Sequence, residues 1–295
     1  MSDCAHYGWT YYAWDLDESL METERPGAGI AEPAEARCQG RGKGAVDYGL
    51  LEAYRRSCGQ ANRGEAGHEM NSKEDSVLRV YRTKAQAQRT YDRISRFYDY
   101  CAGLFEAKHR DRALARLSVT AGETVLEIGF GTGHCLQQMA ESVGEEGKVY
   151  GLDISPGMLA VAKRRLQRAG LLERVELQCQ DALQMPYQDN SFDAVFMSFT
   201  LELFDSPEIP RVLGEIKRVL KPRGRLGLVS MSKEDGDSLL LRLYEWVHKR
   251  FPQYADCRPI HVERSVRDAG FQVQYKEKVS LFRLPGEIVV GVRPS

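Results

Sequence analysis

Residues 124–134 read TVLEIGFGTGH, a short apolar run followed by three glycines at alternate positions. The apolar run is typical of a strand that is buried on both faces. Gly129, Gly131 and Gly133 have no side chains, so the backbone can turn sharply out of the strand and approach a ligand closely. The stretch therefore predicts a strand, a ligand-binding loop and the start of a helix, in that order.

Strands and helices alternate on the C-terminal side of this loop. Further strand-like runs lie at 148–154, 175–181, 193–199 and 225–232, and helix-forming segments lie at 135–142, 156–170 and 208–220. Ser155 followed by Pro156 is typical of a helix N-cap and a first helical position. Two helical patterns at 238–251 and 262–270 precede two closing strands at 271–279 and 287–294. This order predicts an α/β, Rossmann-like, doubly wound sheet of seven strands, mostly parallel with an antiparallel C-terminal strand.

The chain divides into three segments by composition. Residues 25–67 contain nine glycines and no sustained apolar period, so burial cannot offset the entropy of ordering them. We therefore predict that 1–75 is a disordered N-terminal extension. Residues 76–118 are rich in helix formers and are predicted to form a helical lid segment, and 119–295 form the domain that carries the sheet.

Composition excludes several classes of protein. Hydrophobic residues make up 42% and charged residues 28% of the chain, as in ordinary globular proteins. No apolar run approaches the ~18–20 residues that span a bilayer, and the first residues lack the features of a signal peptide, so we expect a cytoplasmic protein. The seven cysteines contain no C-x-x-C pair and the six histidines are scattered, which predicts neither a disulfide framework nor a metal site.

The glycine spacing distinguishes two classes of ligand. A dinucleotide-binding loop reads G-x-G-x-x-G, and its third glycine packs the helix on the strand. That position is His134 in this chain, and the third glycine falls one residue earlier. The spacing G-x-G-x-G with the preceding acid Glu127 instead resembles motif I of class I S-adenosylmethionine-dependent methyltransferases.

Further motifs extend this resemblance over about 89–295. Asp153 ends the second strand, where a carboxylate can accept hydrogen bonds from both hydroxyls of a ribose. The segment from MPYQDNSFD onward resembles the type-11 methyltransferase group, and VLKPRGRL resembles its "LKPGG" turn, with Arg223 in place of the first glycine. YDRISRFYDY at 91–100 is similar to the N-terminal helix of ubiquinone/menaquinone C-methyltransferases.

The resemblance implies S-adenosylmethionine as the cofactor and assigns a role to each residue of the donor site. Glu127 would suit the ammonium of the donor, Asp181 its adenine amino group, and Ile154, Met158, Ala182 and Leu183 the faces of the adenine. Tyr91 and Tyr98 would cap the sulfonium, the alternative being that both tyrosines pack in the core. The predicted donor-binding residues are Tyr91, Tyr98, Glu127, Gly129, Gly131, Gly133, Asp153, Ile154, Met158, Asp181, Ala182 and Ser198.

The acceptor site is expected beyond the strand ends, between the lid segment and Ser198–Phe204, with 242–265 closing it. Apolar and aromatic residues in these walls favour a small lipophilic acceptor, such as a quinone precursor or a lipid head group, over nucleic acid. The sequence identifies no catalytic residue. Candidate bases are His109, His134, Glu202 and His261. The second signature of the quinone enzymes, an "SFG-x-RN"-like run, is replaced here by SFTLELF.

The function and the role of the lid segment's positive charge stay open at this point. A nicotinamide-dependent dehydrogenase and a non-catalytic methyltransferase-fold binding protein are the alternative functions. Residues 76–117 carry ten basic and four acidic residues. Such a net positive segment could contact an anionic membrane surface peripherally, or could form only a solvated lid over the donor.

Overall fold

The alternating elements assemble into one sheet with helices on both sides. The computed structural model describes residues 77–80, 83–95, 104–233, 239–250, 257–281 and 283–295. The strands are β1 Thr124–Ile128, β2 Lys148–Asp153, β3 Val175–Cys179, β4 Phe192–Ser198, β5 Leu220–Met231, β6 Gln272–Leu281 and β7 Leu284–Val292. The helices within the described residues are α1 Lys84–Ile94, α2 Leu104–Leu117, α3 His134–Val143, α4 Pro156–Ala169, α5 Ile209–Val219, α6 Leu239–Arg250 and α7 Val262–Asp268.

The order of strands across the sheet is β3-β2-β1-β4-β5-β7-β6. Strands β1 to β5 pair in parallel, and β7 is antiparallel to both of its neighbours, β5 and β6. The predicted seven-stranded, mostly parallel, doubly wound sheet is therefore confirmed. The strand order reverses between β1 and β4, and such a reversal opens a crevice at the carboxyl ends of the strands.

Apolar side chains on both faces explain why these short runs form buried parallel strands. Four consecutive residues of β4, from Ala194 to Met197, are completely buried. One core cluster packs α5 and α7 on the sheet, and the other packs α2, α3 and α4 on the opposite face. Burying each Leu, Val or Phe side chain contributes ~1.5–3 kcal/mol, so the two layers hold the crevice residues on a rigid support.

The turn before β5 differs from the prediction. Strand β5 begins at Leu220, five residues before the apolar run at 225, because Leu220 pairs with Phe192 of β4 and the turn after it pairs with the chain's C-terminal residues. Arg223 N–H donates to the Arg293 carbonyl, and Arg293 N–H donates to the Gly224 carbonyl. Arg223 has a φ of 64°, a left-handed conformation that costs a non-glycine residue ~1–2 kcal/mol.

The lid segment is not helical from its beginning, contrary to the pattern that predicted helix from about residue 76. Residues 77–80 are irregular, and α1 begins only at Lys84. Thr83 forms a capping box with Gln86: each side chain accepts a hydrogen bond from the other residue's backbone N–H. This cap fixes the helix start, which periodicity alone does not. The predicted extension 1–75 and Tyr98 lie outside the described residues.

Candidate functional site

A cavity of about 450 Å³ opens at the carboxyl ends of β1, β2 and β4. Five parts of the chain form its walls: the lid segment, the glycine loop, the end of β2 with the start of α4, the segment after β3 and the segment after β4. The lining residues are Val80, Thr83, Lys84, Ala87, Tyr91, Ile128, Gly129, Gly131, Leu152, Asp153, Ile154, Met158, Gln180, Asp181, Ala182, Ser198, Phe199, Thr200, Leu203, Phe204, Asp205 and Glu208. Its volume falls within the roughly 300–1,000 Å³ of small-molecule sites.

The three glycines of the loop have positive φ angles of 72°, 54° and 84°, but each meets different surroundings. A Cβ on Gly129 would lie 2.3 Å from Thr200 Oγ1, so the strand end and the wall after β4 approach too closely for any side chain. A Cβ on Gly131 would meet nothing within 4 Å, whereas one on Gly133 would lie 2.9 Å from Ala162 Cβ. Gly131 therefore leaves open space in the cavity, and Gly133 allows α3 to pack on α4.

Asp153 is fixed at the cavity wall by the loop itself. Its Oδ2 accepts a hydrogen bond from Gly131 N at 2.9 Å, and its Oδ1 accepts one from Ser155 N at 2.9 Å. Burial raises the pKa of Asp153, and these backbone donors oppose that rise. Each carboxylate oxygen has further lone pairs, so the group can still accept hydrogen bonds from a ligand.

Glu127 lies behind the glycine loop and is only 3% exposed. Its Oε2 has no hydrogen-bond partner. Burial raises the pKa of this carboxyl well above its ordinary value; Arg110 opposes the rise and Asp153 adds to it. A buried oxygen without a donor is rare in proteins and indicates a place for a ligand donor.

Asp181 is held by an ion pair that the sequence did not indicate. Its Oδ1 accepts from Leu183 N at 3.0 Å, and its Oδ2 accepts from Lys84 Nζ at 2.6 Å. Lys84 Nζ also lies 3.0 Å from Glu208 Oε1. The first residue of α1 thus connects the segments after β3 and β4 across the cavity.

The other end of α1 is tied to the start of α4. Asp92 Oδ1 accepts hydrogen bonds from Ser155 Oγ at 2.6 Å and from Gly157 N at 2.8 Å. Tyr91, one residue earlier, lines the cavity and packs against the core cluster that contains α4. Two alternatives were predicted for Tyr91, a place over the donor and packing in the core. In the structure its side chain lines the cavity and also packs against the core.

The wall after β4 is supported from behind by two buried polar groups. Glu202 is completely buried in the 3-10 turn Leu201–Leu203, and it accepts hydrogen bonds from Ser230 Oγ at 2.8 Å and Met231 N at 3.2 Å. Burial raises the pKa of Glu202 to about 7. The Arg258 guanidinium donates to the carbonyls of Leu78 and Phe204 and to Ser206 Oγ. Arg258 thereby joins the lid segment to this wall.

The structure brings most of the predicted donor residues together. Nine line the cavity: Tyr91, Gly129, Gly131, Asp153, Ile154, Met158, Asp181, Ala182 and Ser198. Glu127 and Gly133 lie behind the loop, and Leu183, predicted to flank adenine, packs against a core cluster. Of the described residues of 242–265, none lines the cavity, so this part supports the wall rather than closing the site.

The candidate bases do not line the cavity, and the sequence missed three of its charged residues. His109, His134, Glu202 and His261 are absent from the described lining. Lys84, Asp205 and Glu208 are present, although no local motif marked them. Arg79 makes a bidentate pair with Asp205, with Nε–Oδ1 and Nη2–Oδ2 distances of 2.8 and 2.5 Å. This pair holds the pKa of Asp205 at about 2.

Known proteins are similar to this chain in sequence. Residues 125–224 match the family described as a methyltransferase domain. The demethylmenaquinone methyltransferase of Symbiobacterium thermophilum is 34% identical over 212 residues, which cover 66% of this chain and 82% of that protein. This chain belongs to the S-adenosylmethionine-dependent methyltransferases. A second relative, the demethylmenaquinone methyltransferase of Lactobacillus johnsonii, is 33% identical over 59% of this methyltransferase and 71% of its own length.

Solved structures share the fold of this methyltransferase. The [4+2]-cyclase SpnF superimposes with a TM-score of 0.59 at 22% identity, over 75% of this chain and 99% of that chain. A geranyl diphosphate methyltransferase in complex with GPP and sinefungin gives a TM-score of 0.53 at 17% identity, over 63% and 77%. The methyltransferase uses S-adenosylmethionine as its cofactor, and family membership does not favour the nicotinamide-dependent or non-catalytic alternatives.

Proposed function

We propose that the methyltransferase binds its donor with the predicted residues in their predicted roles. Asp153 accepts from the ribose hydroxyls, Asp181 from the adenine amino group, and Ile154, Met158 and Ala182 contact the adenine. Support comes from their common place in the cavity lining. The partnerless Oε2 of Glu127 and the open space at Gly131 fit a ligand with an ammonium that passes over the loop.

We propose further that the acceptor is a small lipophilic molecule of the quinone-precursor or lipid-head-group class. The acceptor side of the cavity presents mainly apolar side chains, those of Val80, Ala87, Phe199, Leu203 and Phe204. The two acids on this side, Asp205 and Glu208, are paired with Arg79 and Lys84. A wall of this kind favours an apolar ring or chain over a polyanion such as nucleic acid. The relatives named above carry demethylmenaquinone in their names, which makes a demethylated quinol the first acceptor to test.

These ion pairs are the observation that carries the mechanism. S-adenosylmethionine supplies an electrophilic methyl group on a sulfonium, so the protein's task is alignment and exclusion of water. Orientation can supply roughly 7–11 kcal/mol of such a barrier. A carboxylate with a pKa of about 2, such as Asp205, is a poor proton acceptor at neutral pH. Asp205 is therefore not the base, and the enzyme's part in the reaction is to position the acceptor and exclude water.

Acceptor assays with radiolabelled donor test this proposal. Candidate acceptors are a reduced demethylated naphthoquinone with a short isoprenoid chain, its oxidised form, phosphatidylethanolamine and bulk tRNA, with binding of S-adenosylhomocysteine as the control for a competent donor site. We expect label in the quinol and none in tRNA. Label in tRNA alone, with normal S-adenosylhomocysteine binding, would reject the lipophilic acceptor.

We also propose peripheral contact with a membrane, where such an acceptor resides. None of the described helices is both long and apolar enough to cross a bilayer. In the lid segment Arg89 and Arg93 are exposed, whereas Lys84 is engaged with Asp181 and Glu208 in the cavity. Of these three lid cations, Arg89 and Arg93 lie at the surface and Lys84 lies in the cavity.

A further inference from the structure

Helix α6, Leu239–Arg250, presents two large apolar side chains to solvent. Leu243 is 56% exposed and Trp246 is 57% exposed, the two highest values among the large hydrophobic residues that the structure describes. They are three residues apart, so they lie on one face of the helix. Most exposed surface carries such residues singly, and an adjacent Leu and Trp on one helix face form a patch that indicates a binding partner.

Three cations lie on the same face. Arg242, Lys249 and Arg250 are exposed and, with 100° between successive residues, fall within the same third of the helix circumference as Leu243 and Trp246. The one acid among the described residues of α6, Glu245, points away and pairs with Lys233 at 3.3 Å, where both side chains are largely buried. We call the five residues Arg242, Leu243, Trp246, Lys249 and Arg250 the α6 face.

The opposite face of α6 is anchored to the protein. Leu241 and His248 are buried, and Tyr244 Oη donates to the Cys257 carbonyl at 2.9 Å. The next residue, Arg258, donates to the carbonyls of Phe204 and Leu78, and Phe204 lines the cavity. The α6 face is therefore held through its own helix and Arg258 close to the acceptor wall of the site.

We propose that the α6 face docks the methyltransferase on the surface of an anionic lipid bilayer. Trp and Leu beside Lys and Arg, with no acid among them, are the composition of helices that lie in the membrane interface. The apolar pair would enter the boundary of the acyl chains while the cations contact anionic head groups. This proposal rests on the proposed function only for the reason to dock, which is to reach a lipophilic acceptor. Docking itself requires no methyl transfer.

Vesicle co-sedimentation of the full chain tests the α6 face. We expect binding to vesicles of phosphatidylcholine with about one third phosphatidylglycerol, weaker binding as salt rises, and little binding to phosphatidylcholine alone. Each surface cation contributes about fivefold to partitioning near anionic lipid, so R242Q/K249Q should lower it by roughly 25-fold. L243Q/W246Q should lower it at least about tenfold.

Matched controls distinguish binding through the α6 face from a general effect of losing positive charge. K163Q/R164Q/R168Q removes three exposed cations from α4, and L172Q removes a large apolar residue that is 37% exposed. Both should sediment like the parent chain, and all variants should bind S-adenosylhomocysteine equally. The proposal would be overturned if the α6 variants sedimented like these controls, or if only R89Q/R93Q/R96Q of the lid segment lost binding.

Fluorescence gives a second readout at the residue itself. The chain has three tryptophans, Trp9, Trp14 and Trp246, so W9F/W14F leaves Trp246 as the sole reporter. Its emission should shift to shorter wavelength with anionic vesicles and be quenched by lipids brominated near the head group. An unshifted emission with the vesicles would indicate that the α6 face does not dock on a bilayer. The same shift with soluble polyglutamate would indicate an acidic protein partner instead, and either result would reject the bilayer. Methyl transfer to a detergent-solubilised quinol tests the proposed function separately.

Discussion

Lys84 Nζ lies 2.6 Å from Asp181 Oδ2, so the first residue of the lid helix contacts the carboxylate proposed to bind the adenine amino group. The same ammonium lies 3.0 Å from Glu208 Oε1 in the wall after β4. Lid position and the adenine end of the donor site are therefore coupled through one side chain. Both members of the Lys84–Asp181 pair are about 38% exposed, so solvent screens this pair and its worth is at most ~1 kcal/mol.

Replacing Lys84 by Met should shorten the lifetime of the donor complex. Without the ammonium, α1 keeps its attachment through Asp92 but loses the one at its first residue. We expect S-adenosylhomocysteine to dissociate about two- to fivefold faster from K84M, in line with a screened ion pair. Stopped-flow displacement measures this rate. K163M, an exposed position on α4, is the control, and equal rates in both variants would show that Lys84 does not hold the lid.

The sequence predicted those features that depend on neighbouring residues. The glycine loop and Asp181 follow parallel strands and Asp153 ends one, and parallel strands bring their carboxyl ends to one edge, so local motifs placed them in one crevice. Lys84 and Asp181 are 97 residues apart, and Arg79 and Asp205 are 126 apart. Such pairs are determined by how α1 and the preceding segment dock on the sheet, which no pattern within either segment specifies.

The same limit explains why the lid departs from the prediction. Helix formers from 76 onward carry no signal that residues 77–80 are held instead by Asp205 and Arg258. Residues 242–265 were expected to close the acceptor site, and none of those that are described lines the cavity. A helix can turn such residues inward or outward, and Trp246 points outward in the folded chain.

Replacing Asp153 by Ala should weaken donor binding at least tenfold. Hydrogen bonds from ribose hydroxyls to a carboxylate are charge-assisted and worth roughly 1.5–3 kcal/mol each. The variant also loses the acceptors of Gly131 N and Ser155 N, so a modest fall in melting temperature is expected as well. Titration calorimetry with S-adenosylmethionine, beside thermal unfolding, measures both. Unchanged affinity would place the ribose elsewhere.

Donor binding should release protons through Glu127 at pH values above the ordinary pKa of a glutamate. Burial raises the pKa of this carboxyl well above its ordinary value, so the ligand-free protein holds a proton there over part of the range above that value. An ammonium beside Glu127 favours the ionised form and expels that proton. Calorimetry in two buffers of different ionisation enthalpy, repeated at several pH values upward from the ordinary carboxyl pKa, counts the protons released. E127Q should bind more weakly and release fewer protons, and equal release from E127Q and the parent would exclude this role.

A chain that begins at Met70 should fold and bind the donor. All described residues belong to one compact unit, Glu69–Ser295, which contains the whole sheet and cavity lining. The glycine density of 25–67 is the reason to expect no stabilising core before it. Thermal unfolding and S-adenosylhomocysteine binding should match those of the full chain. An insoluble product, or a melting temperature far below that of the full chain, would contradict this prediction.

Glu202 should make stability fall as pH rises from about 4.5 to about 7. Burial raises its pKa from 4.5 to about 7 in the folded protein, so the folded state holds a proton there that the unfolded state has lost. The contribution of this group is complete below pH 4.5 and lost as pH rises through the folded value, by roughly 3 kcal/mol at 1.36 kcal/mol per pKa unit. E202Q cannot ionise, and its amide can still hydrogen-bond Ser230 Oγ and Met231 N. In urea unfolding between pH 4.5 and 8, the free energy of unfolding of E202Q should rise relative to that of the parent as pH rises. The difference between the two proteins isolates Glu202, because Glu127 titrates in both. E208Q, which changes a partly buried ion pair of the cavity wall, should run parallel to the parent. If E202Q also runs parallel, Glu202 is ionised in the folded state at acid pH and is paired more strongly than its contacts with Ser230 and Met231 indicate.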